Sequence, residues 1–583
     1  MINLKMINLK INGKPVEVPE GSTILDAAGK LGVHIPTLCR FDLPDISLHN
    51  QGASCRVCMV EVDGRRNLAP ACATPVMEGM EVRTHTPRVI NARRVVVGLI
   101  LSNHPKTCLT CPKNNNCELQ ALASELSISE IPFSGKTTQH VVDASSPAYV
   151  RDMNKCVLCR RCETMCTQVQ TVNALSGLNR GFATTVGPAF GMPIAESTCV
   201  SCGQCVAVCP TAALSEVNNV GRVWAAIRDP RKFVIVQTAP AVRAGLIDAF
   251  GLTPKIAVTG KMVTALRMFG FDKVYDTDFA ADLTIMEEAA EFIHRLKHGG
   301  RLPILTSCCP GWVKFFEHQF SDMLDVPSTC KSPQQMFGAI AKTWLARELK
   351  VDPADMVVVS VMPCIAKKYE AGRAEMAADG VPDVDIVLTT RELVKMIREA
   401  GINFASLEDQ DFDDPMGEST GAGVIFGASG GVLEAALRTA YEWLTGKTLE
   451  KVDFTALRGI GGIKEATVDV DGTLVNVVVA SGLGNARQVL EDIREGRRSC
   501  HVLEVMACPG GCIDGGGQPY HKGRADILLS RMEALYAEDR GKALRKSHAN
   551  PFIKKLYAEF LGEPHSEIAH KLLHTSYVKR PRM

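Results

Sequence analysis

The stretch Leu302–Trp312, "LPILTSCCPGW", runs from apolar residues into a Pro-Gly turn that carries two adjacent cysteines, Cys308 and Cys309. A short apolar run bounded by turn residues reads as a buried strand. Three other runs share its texture: "KFVIVQTAP", "MVVVSVMPC" and "HVLEVMACPGGC". Helical segments such as "MVTALRMFG", "TIMEEAAEFIHRL" and "SPQQMFGAIAKTWLARELK" separate them. From about Phe233 onward this alternation predicts an α/β domain with parallel strands, in which ligands gather at the carboxyl ends of the strands. The strand ends "TSCCPGW", "VMPCIAKKYE" and "EVMACPGGCIDGGGQP" bring Cys308, Cys309, Cys364, Cys508 and Cys512 to such positions. Any one of them alone reads equally well as a buried structural thiol. Five at strand ends do not, and four thiolates complete an iron-sulfur cubane with one left over.

The rest of the chain supports metal ligation over disulfide bonding. Its 583 residues call for several domains, and 46% hydrophobic and 22% charged residues is ordinary globular usage. A net charge of +1 gives no reason to expect nucleic acid or an anionic membrane as partner. The start "MINLKMINLKINGK" lacks a signal-peptide core, and no apolar stretch is long enough to span a bilayer, so a soluble cytoplasmic protein is expected. The direct repeat of "MINLK" fits an upstream start codon or a cloning scar. In a reducing compartment, 22 cysteines are better read as thiolate ligands than as a disulfide framework.

Before Phe233 the cysteines come in blocks. Cys39, the "CRVC" pair Cys55 and Cys58, and Cys72 follow a strand-turn-helix pattern in "KPVEV" and "TILDAAGKLG". They resemble a plant-type ferredoxin module around a 2Fe-2S cluster, with a spacing that departs from the short plant form, and a zinc site is the alternative. "HPKTCLTCPKNNNC" offers His104, Cys108, Cys111 and Cys117, a set that suits zinc or a 4Fe-4S cluster equally by itself; its place between two ferredoxin-like blocks favours the cluster. "CVLCRRCETMC" and "CVSCGQCVAVCP" follow the two-cluster bacterial ferredoxin spacing, in which each fourth cysteine serves the other cluster. Cys156, Cys159, Cys162 and Cys209 then hold one cubane, and Cys166, Cys199, Cys202 and Cys205 the other. Thr167 replaces the proline usual after the first run.

The three cysteine-bearing strand ends resemble the signature stretches of the FeFe hydrogenases, and the resemblance extends along essentially the whole chain, including the order of the cluster modules. It implies reversible oxidation of H2 to protons and electrons at an H-cluster, a 4Fe-4S cubane joined through a cysteine to a two-iron unit with carbon monoxide, cyanide and azadithiolate. Carried over, Cys309, Cys364, Cys508 and Cys512 bind the cubane, Cys512 bridges to the two-iron unit, and Cys308 exchanges protons beside it. Lys367 holds a cyanide, and Met362, Met506, Pro333, Gln334 and Phe426 line the pocket. On sequence alone Glu288, Glu291 and Arg295 share one helix face by their spacing, which reads first as a solvated face with a weak ion pair. The resemblance instead implies a proton path through Cys308, a water, Glu288, Ser328, Glu291 and Arg295.

The ligands so assigned account for 20 of the 22 cysteines, and Cys330 and Cys500 remain as structural or incidental thiols. The expected architecture is a multidomain α+β and α/β chain. A β-grasp 2Fe-2S domain spans 1–83, a small His/Cys3 4Fe-4S domain 84–147, and a two-4Fe-4S ferredoxin-like domain 148–218. A two-lobed catalytic domain spans 219–583, with a carboxyl-terminal belt from about 549. The expected cofactors are one 2Fe-2S cluster, three accessory 4Fe-4S clusters and the H-cluster, installed with the help of maturation proteins. "CVLCRRCETMC" and the carboxyl-terminal segment resemble catalytic subunits of NAD(P)-linked, including electron-bifurcating, hydrogenases that pair with flavin and iron-sulfur subunits; a stand-alone enzyme would use ferredoxin. "GASGG" at Gly427–Gly431 does not fit the dinucleotide fingerprint, so NAD(P) chemistry belongs to another polypeptide. Two other classes compete: an electron-wiring subunit of an NADH dehydrogenase, which the stretches after Leu302 oppose, and an iron-sulfur assembly protein without hydrogen chemistry.

Overall fold

The computed structural model describes residues 5–43, 48–50, 52–253, 257–378, 380–470 and 472–581. The first four residues of the repeated start, and the ends of the first and last expected domains, lie outside these. The second "MINLK" begins a strand, Met6–Ile11, that turns at Asn12-Gly13 into Lys14–Pro19. Both turn residues have positive φ, 52° and 79°, which matches the twist of a two-residue hairpin. Strand alternation buries Ile7, Leu9, Ile11, Val16 and Val18 on one face. Glu81–Arg83 pairs parallel to the first strand, and Met59–Val62 pairs antiparallel to Glu81–Arg83, in a five-stranded sheet. The helix Ile24–Lys30 opens with a reciprocal Thr23–Asp26 capping box and packs Ile24, Ala27 and Ala28 into the same core.

Two helices, Pro87–Ser102 and Glu118–Glu125, flank the segment with His104 and its three cysteines. Tyr149–Arg151 and Leu214–Glu216 then pair antiparallel across the ends of the double cysteine run. The first run closes in a π-helical turn, Met165–Val169, with the Thr167 hydroxyl donating to Glu163 O at 2.8 Å.

The catalytic part contains two four-stranded sheets. One is wholly parallel, in the order Lys273–Asp276, Phe233–Thr238, Met356–Met362, Ile386–Thr389. The other places Ile304–Leu305, Val502–Met506 and Thr473–Ser481 in parallel, with Ile463–Val470 antiparallel at its edge. The expectation of parallel strands holds except at that edge. The 22-residue helix Thr277–His298 starts from the Asp276 cap and stops at Gly299. It is buried from Thr277 to Ala289 and again at Glu291 and Phe292. It is therefore a core helix with acidic residues inside, not the solvated face that periodicity suggested.

The carboxyl-terminal segment runs through helices Pro551–Leu556 and Glu567–Leu573 and buries Ile553, Leu556, Leu561, Ala569 and Leu573 in the core of the first sheet. Its end crosses the 328–331 segment: Lys331 N donates to Leu573 O, and Thr575 N to Thr329 O, both at 2.7 Å. Among the described residues no helix is long and apolar enough to cross a membrane.

Candidate active site and relay

Strand direction assembles the site. Cys308, Cys309, Cys508 and Cys512 follow two neighbouring parallel strands of one sheet, while Cys364 follows a strand of the other. The adjacent pair divides between two cores. Cys309 caps the helix Pro310–Gln319 and packs with Trp312, Phe316 and Ala507, whereas Cys308 and Cys512 pack with Phe426, Met506 and Ile513. The Ala507 N–H points at Cys309 Sγ from 3.4 Å. Burial, with Cys364, Cys309 and Cys512, holds the Cys508 thiol well above its usual range; burial and Cys309 push Cys364 up to about 12. Four crowded, buried thiols that oppose one another's ionisation need a multivalent cation to become thiolates, which a cubane supplies. The donor set therefore fits the group that the resemblance implies.

Cys308 lies outside that quartet, close to Glu288 and Lys367. Burial, then Glu288 and Cys309, hold its thiol well above the usual value. Lys367 Nζ donates to Cys308 O and to Glu370 Oε2, each at 3.0 Å. Burial works against the Lys367 charge, but Glu370 and Cys308 outweigh it and raise the pKa. Glu370 also accepts from Ser332 Oγ and Gln334 Nε2 at 3.0 Å, so one carboxylate fixes the ammonium and the start of the Pro333–Ile340 helix. Glu370 was not foreseen: "AKKYE" shows a Lys and a Glu three apart, the spacing of an ordinary surface pair. Met506 and Phe426 share the apolar cluster of Cys308, while Met362 belongs to the core of the other sheet; Pro333 and Gln334 are buried at their helix start.

Of the residues expected to carry protons, Glu288 and Ser328 line one cavity, and Ser328, Glu291 and Arg295 are linked by hydrogen bonds. The Glu288 carboxyl is pushed up to about 8 by burial and by Glu291, and one of its oxygens, Oε1, is buried without a partner. It borders an apolar cavity lined also by Phe292, Leu305, Ser328, Leu433 and Leu437, which accounts for the desolvation. Ser328 Oγ donates to Glu291 Oε2 at 2.8 Å, and Arg295 Nη2 donates to Glu291 Oε1. Arg295 also donates to the carbonyls of Val326, at 2.7 Å, and Pro327, at 3.1 Å. Cys330 is part of this setting: its sulfur lies 4.0 Å from Glu291 Oε2. Cys500, by contrast, is a core thiol among Leu503, Val505 and Phe316.

The accessory ligands also gather as the spacing predicts. One cavity is lined by Cys156, Cys159, Cys162 and Cys209, and a second by Cys166, Cys199, Cys202 and Cys205. A third is lined by His104, Cys108, Cys111 and Cys117, where His104 Nδ1 is buried with no hydrogen-bond partner, as an unused ligand atom would be. Cys39, Cys55, Cys58 and Cys72 lie in mutual contact, and a Cβ at Gly52 would stand 2.5 Å from Cys72 Sγ. Asn50 Nδ2 bridges the carbonyls of Cys39, at 2.5 Å, and Cys159, at 3.2 Å. Glu118 N donates to Pro210 O at 3.0 Å, linking the His104 segment to the residue after Cys209. The segments bearing Cys166 and Cys199–Cys205 abut those bearing the catalytic quartet. Gly203 has φ 80°, and a Cβ on Gly516 would fall 2.7 Å from its Cα. Gln170 and Gln204 donate to Ala507 O and Asp514 O, at 2.9 and 2.8 Å.

Comparison with known proteins agrees with this geometry. Residues 232–516 match the model of the iron only hydrogenase large subunit, C-terminal domain, and 525–580 that of the iron hydrogenase small subunit. Residues 4–87 match a 2Fe-2S iron-sulfur cluster binding domain, 93–132 the NADH-ubiquinone oxidoreductase-G iron-sulfur binding region, and 155–213 a 4Fe-4S dicluster domain. The NADP-reducing hydrogenase subunit HndD of Solidesulfovibrio fructosivorans is 59% identical, with 100% of both chains covered. Iron hydrogenase 1 of Clostridium pasteurianum is 40% identical over 98% of this chain and 100% of that protein. An apo FeFe hydrogenase variant from Chlamydomonas reinhardtii superposes with a TM-score of 0.56 at 41% identity, covering 62% of this chain and 99% of that one. With these matches over its full length and a cysteine quartet suited to the H-cluster, the chain belongs to the FeFe hydrogenases, oxidoreductases that interconvert dihydrogen with protons and electrons and carry the electrons through iron-sulfur clusters.

Proposed function

We propose that this chain is the hydrogen-converting subunit of a multi-subunit, NADP-linked hydrogenase. The full-length 59% identity to an NADP-reducing hydrogenase subunit carries the reading. The "GASGG" segment supports assigning nicotinamide chemistry to another polypeptide: a Cβ at Gly430 would stand 1.9 Å from Leu457 O, and the Gly430 N–H donates to Glu504 Oε1 at 2.6 Å. These glycines make a packed turn and leave no room for a pyrophosphate.

In this reading the domains are those expected from sequence, with one 2Fe-2S cluster on Cys39, Cys55, Cys58 and Cys72 and three accessory 4Fe-4S clusters on the remaining amino-terminal ligands. The relay is branched. The 2Fe-2S site, through Asn50, and the His104 site, through Glu118, both approach the Cys156–Cys209 cubane, and the neighbouring cubane touches the catalytic site. When bound on Cys309, Cys364, Cys508 and Cys512, the H-cluster supplies the two-electron exchange with dihydrogen. The chain's own residues move the protons. Cys308 Sγ gives and takes the proton at the pocket, Glu288 passes it on, and Ser328 Oγ, Glu291 and Arg295 carry it outward. A Glu288 carboxyl pushed up to about 8 by burial and Glu291 lies closer to the operating range than an ordinary carboxylate, which suits two-way transfer. Lys367, held by Glu370, offers a fixed charge to an anionic ligand of the pocket.

The test is reconstitution of the matured chain with and without its flavin-containing partner polypeptides. The chain alone should oxidise hydrogen with an artificial acceptor and leave NADP untouched, while the assembly reduces NADP. Reduction of NADP by the chain alone, or coupling only to ferredoxin in the assembly, would overturn the reading.

A further inference from the structure

A buried lysine stands where two cysteine-bearing segments meet the catalytic part. Lys113 lies in the turn between Cys111 and Cys117, yet it is only 3% exposed. Its ammonium donates to the carbonyl of Cys209 and lies 3.6 Å from the ring centroid of Tyr520, which follows the Cys512 segment. The Arg391 guanidinium lies 4.5 Å from the centroid of the same ring. Arg391 pairs with Glu216, and Arg161, also at this junction, pairs with Glu118, both at 2.8 Å. Lys113 differs from these two cations. Among the described residues its ammonium meets a carbonyl and an aromatic face, and no carboxylate pairs with it.

A buried cation is costly unless negative charge meets it. Glu118, which follows Cys117, is already engaged through both carboxylate oxygens by Arg161. Burial lowers the Lys113 pKa, and Cys209 is the foremost group opposing that fall. A cysteine that ligates a metal is deprotonated outright, so iron held at Cys209 puts the missing negative charge beside the ammonium. A fixed cation at an iron-sulfur site favours the reduced, more negative form, because net charge is one of the terms that set the potential.

We propose that Lys113 serves the electron relay as a counter-charge: its buried ammonium raises the potential at which the cluster on Cys156, Cys159, Cys162 and Cys209 takes up an electron. The inference rests on the cluster assignment proposed above. The charge comes from the segment that carries Cys108, Cys111 and Cys117, so the same side chain that stabilises an electron on one cluster belongs to the ligand loop of the next. Electrons leaving the catalytic part are held at this junction before they pass to a partner subunit.

The test is a potentiometric titration of the anaerobic, matured full chain followed by paramagnetic resonance, with three variants beside the parent. Lys113→Met removes the charge and the donor, Lys113→Gln removes the charge but keeps a donor for Cys209 O, and Lys113→Arg keeps both. Iron content should stay at the parent level in all three. In both neutral variants at least one accessory 4Fe-4S couple should lose on the order of tenfold in its reduced-to-oxidised ratio at a given potential, a downward shift of about 59 mV for one electron, while Lys113→Arg stays within about twofold. Unmoved potentials in both neutral variants, a parental potential in Lys113→Gln alone, or an equal fall in Lys113→Arg would overturn the inference. Loss of iron from both neutral variants would mark the lysine as structural and overturn it as well. Absence of accessory 4Fe-4S signals from the parent would overturn the cluster assignment instead.

Discussion

The amino-terminal modules and the catalytic domain both bind iron through cysteine, but they assemble their ligands in opposite ways. In the ferredoxin-like region each cavity is lined by three cysteines from one short run and a fourth from the other run. The catalytic quartet spans Cys309 to Cys512 and depends on the ends of strands in two sheets. A locally encoded site is fixed by spacing, whereas a convergent one exists only once both lobes have folded and docked. The convergent form gives what a relay site does not need: room beside the cluster for groups that are not ligands, namely Cys308, Lys367 and Glu288.

Removing a convergent ligand should do the most damage. Cys512→Ala should abolish hydrogen turnover and remove the carbonyl and cyanide infrared bands, with the accessory clusters retained in paramagnetic resonance. Loss of the accessory signals too would break the contrast between regions. Glu288→Gln should lower turnover by roughly 10²–10⁴-fold, the span of a general acid-base group, with iron content unchanged. The same variant carries a stability signature. Because the folded Glu288 pKa of about 8 exceeds the ordinary glutamate value of 4.5, the folded protein holds this proton more tightly than the unfolded chain. Stability contributed here is full below the unfolded pKa and falls as pH rises through the folded one. Thermal melts of Glu288→Gln between those limits should lack that decline, and parallel pH profiles for parent and variant would contradict it.

Glu370→Gln should cost about tenfold in turnover by loosening Lys367, on the scale of one charge-assisted hydrogen bond; a change below twofold would show that Lys367 holds itself. At the small end, Cys117→Ser removes a relay cluster at the periphery. Hydrogen-dependent reduction of an artificial dye should change little, while transfer to the physiological partner falls. Equal loss in both assays would mean that the relay is unbranched.

The contrast also explains what the sequence could disclose. Ligands within a short run, such as Cys199, Cys202 and Cys205, are legible because the cluster dictates their spacing. The catalytic cysteines were recognisable as strand-end residues able to converge, but which four of the five bind, and what the fifth does, needed the resemblance to a family. Burial was not legible for the Glu288 helix, since "TIMEEAAEFIHRL" has acidic residues at positions that a core helix normally fills with apolar ones. Those charges are tolerated because partners meet them: Tyr557 and His574 of the belt for Glu287, and for Glu291 Ser328 from another segment together with Arg295 one turn along the same helix. Glu370 and Cys330 were missed because burial and distant partners, Ser332 and Gln334 for Glu370 and Glu291 for Cys330, set their surroundings. The antiparallel edge strand Ile463–Val470 was missed because the alternation read from the flanking runs did not reach it.

The division of labour between Cys308 and Cys309 is the centre of this account. It is tested most directly in matured Cys308→Ala by recording the infrared spectrum in the carbonyl and cyanide region alongside hydrogen turnover. Bands of parental intensity with turnover lost would show that Cys308 moves protons and does not hold the cluster. Missing bands, or bands accompanied by parental turnover, would contradict the assignment.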